Sequence, residues 1–127
     1  MSFLPATQRI IANRAPLDPL RITLEFLLNY NPPAIGPENA VPIPEIVEHL
    51  QNVGVNESYT GFQQGILKET RDSNEPIFVG TCRRGCFLID TVEHARSALA
   101  FYDAKIDQMD FHRRNLIRQA QGLFPPL

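Results

Sequence analysis

Arg83 and Arg84 are the residues whose type and position most directly suggest a chemical role. They lie between two short apolar runs at residues 77–81 and 86–89, next to Gly85. Apolar and β-branched runs separated by a glycine-containing turn are typical of a β-hairpin. Guanidinium groups at the tip of a hairpin can contact phosphates or enter the minor groove of DNA. The alternative is a solvated turn, because charged residues are common at exposed positions.

A second set of polar residues lies on a predicted helix over residues 57–71, with Asn56 as its expected N-cap. Tyr59, Phe62 and Ile66 recur at helical spacing and form its apolar face. The other faces carry side chains that can donate to phosphates or read the edges of bases. These candidates are Ser58, Thr60, Gln63, Gln64, Lys68 and Arg71. Acidic residues on the same helix favour the alternative of an ordinary solvated face.

Gly61 and Gly65 interrupt this predicted helix. A glycine inside a helix costs about 1 kcal/mol relative to alanine. Because a spacing of four residues places the two glycines on one face, we expect that face to pack closely against a neighbouring helix. Close approach to a backbone phosphate of a nucleic acid is the alternative.

Residues 91–121 contain no proline or glycine and predict one long helix. Asp90, followed three residues later by Glu93, indicates a capping box at its start. Apolar side chains repeat at heptad positions a and d, which is typical of a coiled-coil seam. A helix of about 30 residues is about 45 Å long, so we expect its far half to pair with a second copy of the chain. The dimerisation residues predicted in this way are Leu99, Tyr102, Ile106, Met109 and Leu116.

Prolines and glycines divide the first half of the chain into shorter elements. Residues 1–17 are expected to be a mobile arm or one short helix that docks on something else. They are followed by a helix over residues 18–30 and by a loop over residues 31–43, in which residues 41–43 are a candidate third strand. A second helix is expected over residues 44–54.

The distribution of charge limits how DNA could be bound. The 127-residue chain has the length of one domain and a net charge of −2. Residues 1–17 carry +2, residues 18–80 carry −6 and residues 81–127 carry +2. Because phosphate neutralisation supplies most non-specific affinity for DNA, we expect a single copy of the chain to bind DNA weakly.

No catalytic pattern is present in the sequence, which has no glycine-rich phosphate loop and no metal-ligand motif. We therefore expect a protein that is not an enzyme and that needs no cofactor or metal. His49, His94 and His112 are predicted to lie at the surface. Cys82 and Cys86 are predicted to be free thiols in a reducing compartment. No apolar run reaches the roughly 18 to 20 residues that span a membrane, so we expect a cytoplasmic protein that does not bind membranes.

Several stretches resemble the winged helix-turn-helix domains of phage and prophage proteins. The likeness covers roughly residues 44–121 and rests on GILKETR at 65–71, PI at 76–77, GCFL at 85–88, TVE at 91–93 and RRNLI at 113–117. It implies a mainly α fold with a small β-hairpin wing, in the α+β class, followed by a long C-terminal dimerisation helix. The corresponding segments are an N-terminal arm over residues 1–17, the winged helix-turn-helix domain over 18–90, the long helix over 91–121 and a tail over 122–127.

Two functions are compatible with the sequence. The first is a homodimeric, sequence-specific DNA-binding protein, which the resemblance implies to be a transcriptional or replication-related regulator of phage or prophage type. In this interpretation, helix 57–71 enters the major groove of double-stranded DNA, and the hairpin tip contacts the backbone or the minor groove. The second is a non-enzymatic protein-interaction or assembly adaptor, and the charge of −6 on residues 18–80 favours it.

Overall fold

The computed structural model of the chain describes residues 2–73 and 77–121. These residues form a mainly helical fold with a small two-stranded antiparallel sheet and a long C-terminal helix. Two predicted features lie outside the described residues. They are the tail over residues 122–127 and Pro76, the first residue of the PI stretch. The helices are α1 (Leu4–Asn13), α2 (Pro19–Asn29), α3 (Ile43–Asn52), α4 (Tyr59–Gly61), α5 (Lys68–Asp72) and α6 (Val92–Ala120), and the strands are β1 (Val79–Cys82) and β2 (Gly85–Leu88).

Helix α2 lies in the main hydrophobic core. Asp18 caps its start, because the carboxylate accepts a hydrogen bond from the backbone N–H of Leu20 at 3.1 Å, and Pro19 supplies the first helical residue. The apolar side chains of α2 pack with those of α3 and β2. The fully buried members of this core include Leu20, Leu24, Leu27, Ile46, Leu50 and Leu88.

Residues 1–17 adopt the second of their two predicted forms, because α1 is one short helix. Its Ile10 is buried in the main core, and the ring centroid of Phe3 lies 4.8 Å from that of Phe78. The backbone N–H of Phe3 donates to the carbonyl oxygen of Asp90 at 3.0 Å. The Ser2 hydroxyl donates to the Asp90 carboxylate, and this hydrogen bond lowers the pKa of Asp90. Residues 2 and 3 therefore lie beside the start of α6.

The hairpin differs from its predicted form at the turn. Cys82 pairs with Gly85, so Gly85 belongs to β2 and the turn consists of the two arginines between them. The candidate third strand is present as a single bridge, in which Val41 and Cys86 exchange two N–H···O hydrogen bonds of 2.9 Å. Gly85 permits this approach, because its φ is +139° and a Cβ there would lie 2.8 Å from the Cα of Pro42.

The predicted helix over residues 57–71 consists of three pieces. A π-helical segment, Phe62–Leu67, joins α4 to α5. We call residues 59–72 the composite helix. Asn56 is not its N-cap; Ser58 is, since the Ser58 hydroxyl accepts a hydrogen bond from the backbone N–H of Gly61 at 2.9 Å. Single π turns inside helices are frequent at functional sites.

The prediction that Gly61 and Gly65 pack against a neighbouring helix is wrong. A Cβ added at Gly61 would meet the side chain of Glu57, which lies four residues earlier in the chain and not on a neighbouring helix. A Cβ added at Gly65 would have nothing within 4 Å. Gly65 therefore faces open space on the surface of the composite helix.

Replacing Gly65 with alanine is expected to raise the free energy of unfolding by about 0.5–1 kcal/mol. The new methyl group meets no neighbour, and alanine loses less backbone entropy than glycine when a helix forms. Urea denaturation of the two proteins measures the difference. A loss of stability would contradict the open surroundings of this residue.

The start of α6 is also capped differently from the prediction. Thr91 is the N-cap, and its hydroxyl accepts from the backbone N–H of His94 at 3.2 Å. In return, Nδ1 of His94 accepts from the backbone N–H groups of Thr91 and the preceding residue, so His94 and not Glu93 completes the capping box. His94 is half-buried, and so is His49, which stacks on Phe26 with 4.3 Å between ring centroids. These two histidines are thus only partly at the surface, whereas His112 is exposed as predicted.

The first part of α6 packs on the hairpin, where Ala98 joins a second, smaller cluster with Phe87 and Ile89. Farther along, the side chains of the predicted seam are exposed: Leu99 by 61%, Ile106 by 63%, Met109 by 72% and Leu116 by 64%. Tyr102 is the exception, because it is half-buried. In residues 2–73 and 77–121, we find no helix with the length and apolar composition that crossing a bilayer requires.

Candidate functional site

A groove of about 570 Å³ opens between the composite helix, the hairpin and α6. We call it the basic groove. The residues before and within α3 contribute Pro42, Ile43 and Pro44; the composite helix contributes Tyr59, Gln63, Gln64, Leu67 and Arg71; the hairpin contributes Thr81, Cys82, Arg83, Arg84 and Gly85; and α6 contributes Phe101, Tyr102 and Lys105.

Local features of the fold explain how these three elements meet. The Ser58 cap begins the composite helix, so that the helix presents the polar residues after it to the groove. The two-residue turn projects both of its arginines, which are exposed. Packing of Ala98 against Phe87 holds α6 on the hairpin and brings the next turn of α6 to the groove.

The electrostatic character of the basic groove differs from that of the whole chain. Four cationic side chains line it, namely Arg71, Arg83, Arg84 and Lys105. Among the described residues, no carboxylate lines the groove. Within residues 2–73 and 77–121, none of the four cations forms an ion pair with a carboxylate. In a chain of net charge −2, these four cations form a local concentration of positive charge, which favours anions.

The cations have polar or aromatic neighbours that orient them without neutralising their charge. Arg71 donates to two carbonyl oxygens of its own helix, both at 3.2 Å. Arg84 donates to the carbonyl oxygen of Glu38 at 3.3 Å. The ammonium of Lys105 lies 4.4 Å from the centroid of the Phe101 ring, which is a cation–π contact. Arg71 also interacts electrostatically with the nearby Asp72 carboxylate, so the positive charge of the groove is partly ordered and partly compensated.

Five of the eight predicted DNA-contacting residues line the basic groove: Gln63, Gln64, Arg71, Arg83 and Arg84. The other three do not. The Ser58 hydroxyl is occupied as the helix cap, and Thr60 is exposed outside the groove. The ammonium of Lys68 lies 2.8 Å from the Asp72 carboxylate, and this pairing lowers the pKa of Asp72. Part of the charge of Lys68 is thus compensated.

Three aromatic residues of the groove were not predicted to be part of the site. Tyr59 was placed on the apolar core face, but it is 47% exposed. Tyr102 was assigned to the dimer seam, and Phe101 and Lys105 were assigned no role. The spacing of four residues between Phe101 and Lys105 was a detectable signal, because residues at this spacing share a helix face. Which face of α6 meets the hairpin was not evident from the sequence.

Comparison of the chain with protein-family models, with curated proteins and with solved structures gives no match. Within the part of the chain that the structure describes, no group of three or more His, Cys, Asp or Glu residues is placed to hold a metal ion. The functional assignment therefore rests on the groove itself.

The two cysteines are free thiols in different surroundings, and we expect them to react differently. Cys86 is buried, and burial raises its pKa to about 12, whereas Cys82 is half-exposed in the basic groove. Because the thiolate is the reactive form, iodoacetamide near pH 8 should modify Cys82 alone in the folded protein and both cysteines in denaturant. Mass spectrometry of the digested protein separates the two sites. Equal modification of both in the folded protein would contradict the buried position of Cys86.

Proposed function

We propose that this protein binds DNA through the basic groove and the exposed face of the composite helix, as a homodimer of winged helix-turn-helix type. The observation that carries the proposal is the gathering of four cationic side chains, with no described carboxylate, in one groove of a chain with net charge −2. A nucleic acid presents its phosphates in a regular row, and release of their counterions supplies most of the non-specific affinity.

The order of the elements supports the winged helix-turn-helix part of the proposal. Helix α2 is followed by the bridging residue Val41, by α3, by the composite helix and by the hairpin. In the arrangement that the resemblance implies, the composite helix enters the major groove, where the exposed Thr60 and Gln64 face the bases. Arg83 and Arg84 then contact the backbone or the minor groove. Glutamine can pair with adenine, which supports a sequence-specific regulator of transcription or replication.

The exposed apolar side chains of α6 support the homodimer. Leu99, Ile106, Met109 and Leu116 recur at heptad spacing and have little cover in a single chain. Pairing of two such helices removes these side chains from water. It also doubles the number of phosphate contacts, which offsets the acidic background of each copy.

The test of DNA binding is a mobility-shift titration at several salt concentrations with duplex DNA from the gene's own neighbourhood. Replacing both Arg83 and Arg84 with alanine should weaken binding at least ten-fold at low salt. It should also reduce the slope of log K against log salt by about 1.8 for each protomer, since each lost phosphate contact contributes about 0.9.

The matched control replaces Arg9 and Arg96 with alanine, which removes the same charge outside the groove. This variant should lose much less affinity than the hairpin variant. If both variants keep the affinity and the salt slope of the original protein, the hairpin tip does not contact DNA.

A protein-interaction adaptor is the second candidate, and a second groove favours it. This groove, of about 560 Å³, is lined by apolar and aromatic side chains that include Leu17, Phe26 and Val53, and Glu25 lies beside them. Leu17 is 77% exposed. The groove suits an apolar side chain of a partner protein, and the Glu25 carboxylate beside it is already paired with Arg21. This candidate replaces the first if the protein binds no DNA at low salt and Leu17→Asp abolishes recovery of a stoichiometric partner from host lysate.

A further inference from the structure

We infer that the basic groove holds unpaired nucleotides, whose bases stack on Tyr59, Phe101 and Tyr102. This inference rests on the proposed DNA binding and specifies the form of DNA that the groove takes. It predicts that DNA with a single-stranded segment binds more tightly than a plain duplex of the same sequence.

The three aromatic side chains lie outside the hydrophobic core, and the Lys105 ammonium lies over one face of the Phe101 ring. None of them belongs to the two hydrophobic clusters of the described residues. Tyr59 is 47% exposed, and the other two rings are half-buried at the groove. The ring centroids of Phe101 and Tyr102 are 6.3 Å apart with planes 58° apart, so the two rings do not stack on each other.

The combination of rings and cations matches an unpaired strand better than a duplex. Proteins that bind single strands place aromatic rings beneath the bases and cations along the phosphates. A base within a duplex offers only its edge, because its two faces are covered by neighbouring bases. The faces that Tyr59 or Phe101 could contact are exposed only when the base is unpaired.

The size of the groove agrees with this occupant. Its volume of about 570 Å³ lies within the range of about 300–1,000 Å³ that is usual for small-molecule sites. A space of this size accepts a base with its phosphate, whereas a duplex would contact the exposed Arg83 and Arg84 without entering the groove. Lys105 and the two arginines of the turn line the same groove, where they can reach the phosphates that flank a stacked base.

The chain contains no tryptophan, so Phe101→Trp introduces a single fluorescent reporter at the groove. Titration with a mixed-sequence 12-nucleotide single strand should quench its emission, because a stacked base quenches indole. The same strand annealed to its complement should quench it much less. The matched reporter is Phe111→Trp, at an exposed position of α6 outside the groove, and it should respond to neither DNA.

Affinities complete the test and are measured by anisotropy of a labelled oligonucleotide. The single strand should bind at least about five-fold more tightly than the duplex, and Phe101→Leu and Tyr59→Leu should each weaken its binding about ten-fold. Phe111→Leu is the control and should leave single-strand affinity unchanged. Circular dichroism checks that all variants are folded.

The possible outcomes separate the inference from the proposed function. If duplex binds at least as tightly as single strand, and the Phe101 and Tyr59 variants lose nothing, stacking in the groove is refuted while DNA binding stands. If neither DNA binds, both proposals fail. If neither DNA binds but a poly-glutamate peptide does, the groove is a site for acidic peptides and both proposals fail as well.

Discussion

Alanine in place of Gly85 is expected to lower the free energy of unfolding by about 3 kcal/mol. Two effects add at this residue. Its φ of +139° is unfavourable for any residue with a Cβ, and the new methyl group would collide with the backbone of Val41 and Pro42. Backbone atoms cannot rotate away as a side chain can, so the bridge between Val41 and Cys86 must open. Chemical denaturation measures the loss.

The control for this prediction is Gly54→Ala. Gly54 also has a positive φ, of +94°, but a Cβ there would have nothing within 4 Å. Its replacement therefore carries the cost of backbone strain alone, about 1–2 kcal/mol. Equal losses at the two glycines would show that the close approach to Val41 contributes nothing to stability.

Gly85→Ala should also weaken DNA binding, because the bridge at Val41 brings Pro42 and the arginine turn to the same groove. Gly54 does not line the groove, so Gly54→Ala should bind DNA like the original protein at temperatures where both are folded. The pair of variants thus separates the position of the hairpin from general stability.

Lysine at both Ile106 and Met109 is expected to convert the proposed dimer to a monomer and to halve the mass measured by sedimentation equilibrium. These two side chains occupy successive a and d positions and are 63% and 72% exposed in one chain. Two charges in each helix of the seam would have to be buried without partners, which is strongly unfavourable. A chain that ends at Lys105 should also be monomeric, because it lacks the far part of the seam.

Phe111→Lys is the matched control for the seam. Phe111 is 59% exposed on the same helix, at neither an a nor a d position. This variant should keep the dimer mass, and both variants should keep the helix content of the original protein. The proposed seam would be contradicted if the original 127-residue chain were monomeric at all concentrations. It would also be contradicted if the variant with lysine at Ile106 and Met109 remained dimeric. The monomeric variant retains its basic groove, so it should bind DNA more weakly and with about half the salt slope.

The helices could be predicted closely where proline, glycine and caps mark their ends. Helix α6 was expected over residues 91–121 and spans Val92–Ala120, because no residue between these ends interrupts it. The composite helix was predicted less well. A spacing of four residues places Gly61 and Gly65 on one packed face only if every turn is α-helical. The π-helical segment Phe62–Leu67 changes the spacing of side chains between the two glycines, and sequence periodicity contains no sign of it.

The site could be predicted only in part, for a different reason. The arginine turn and the polar residues of the composite helix stand out by residue type. The residues that α6 contributes to the groove do not stand out in this way. Heptad spacing indicates which residues share a face of the helix, but it leaves open which face meets the hairpin. Tyr102 illustrates this, since it occupies a d position and yet lines the groove of its own chain.

Because α6 is one uninterrupted helix, the direction in which the groove faces around its axis is coupled to the direction of its exposed apolar stripe. This stripe consists of Leu99, Ile106, Met109 and Leu116. The helix packs on the hairpin at Ala98 and exposes Leu99 and Ile106 immediately afterwards. One residue inserted between these parts would turn the stripe by about 100° around the helix axis relative to the groove. Seven inserted residues would return it to within about 20° and move it about 10 Å farther away. In the proposed dimer, the helical phase of α6 would therefore determine, more than its length, how the two basic grooves face a common DNA.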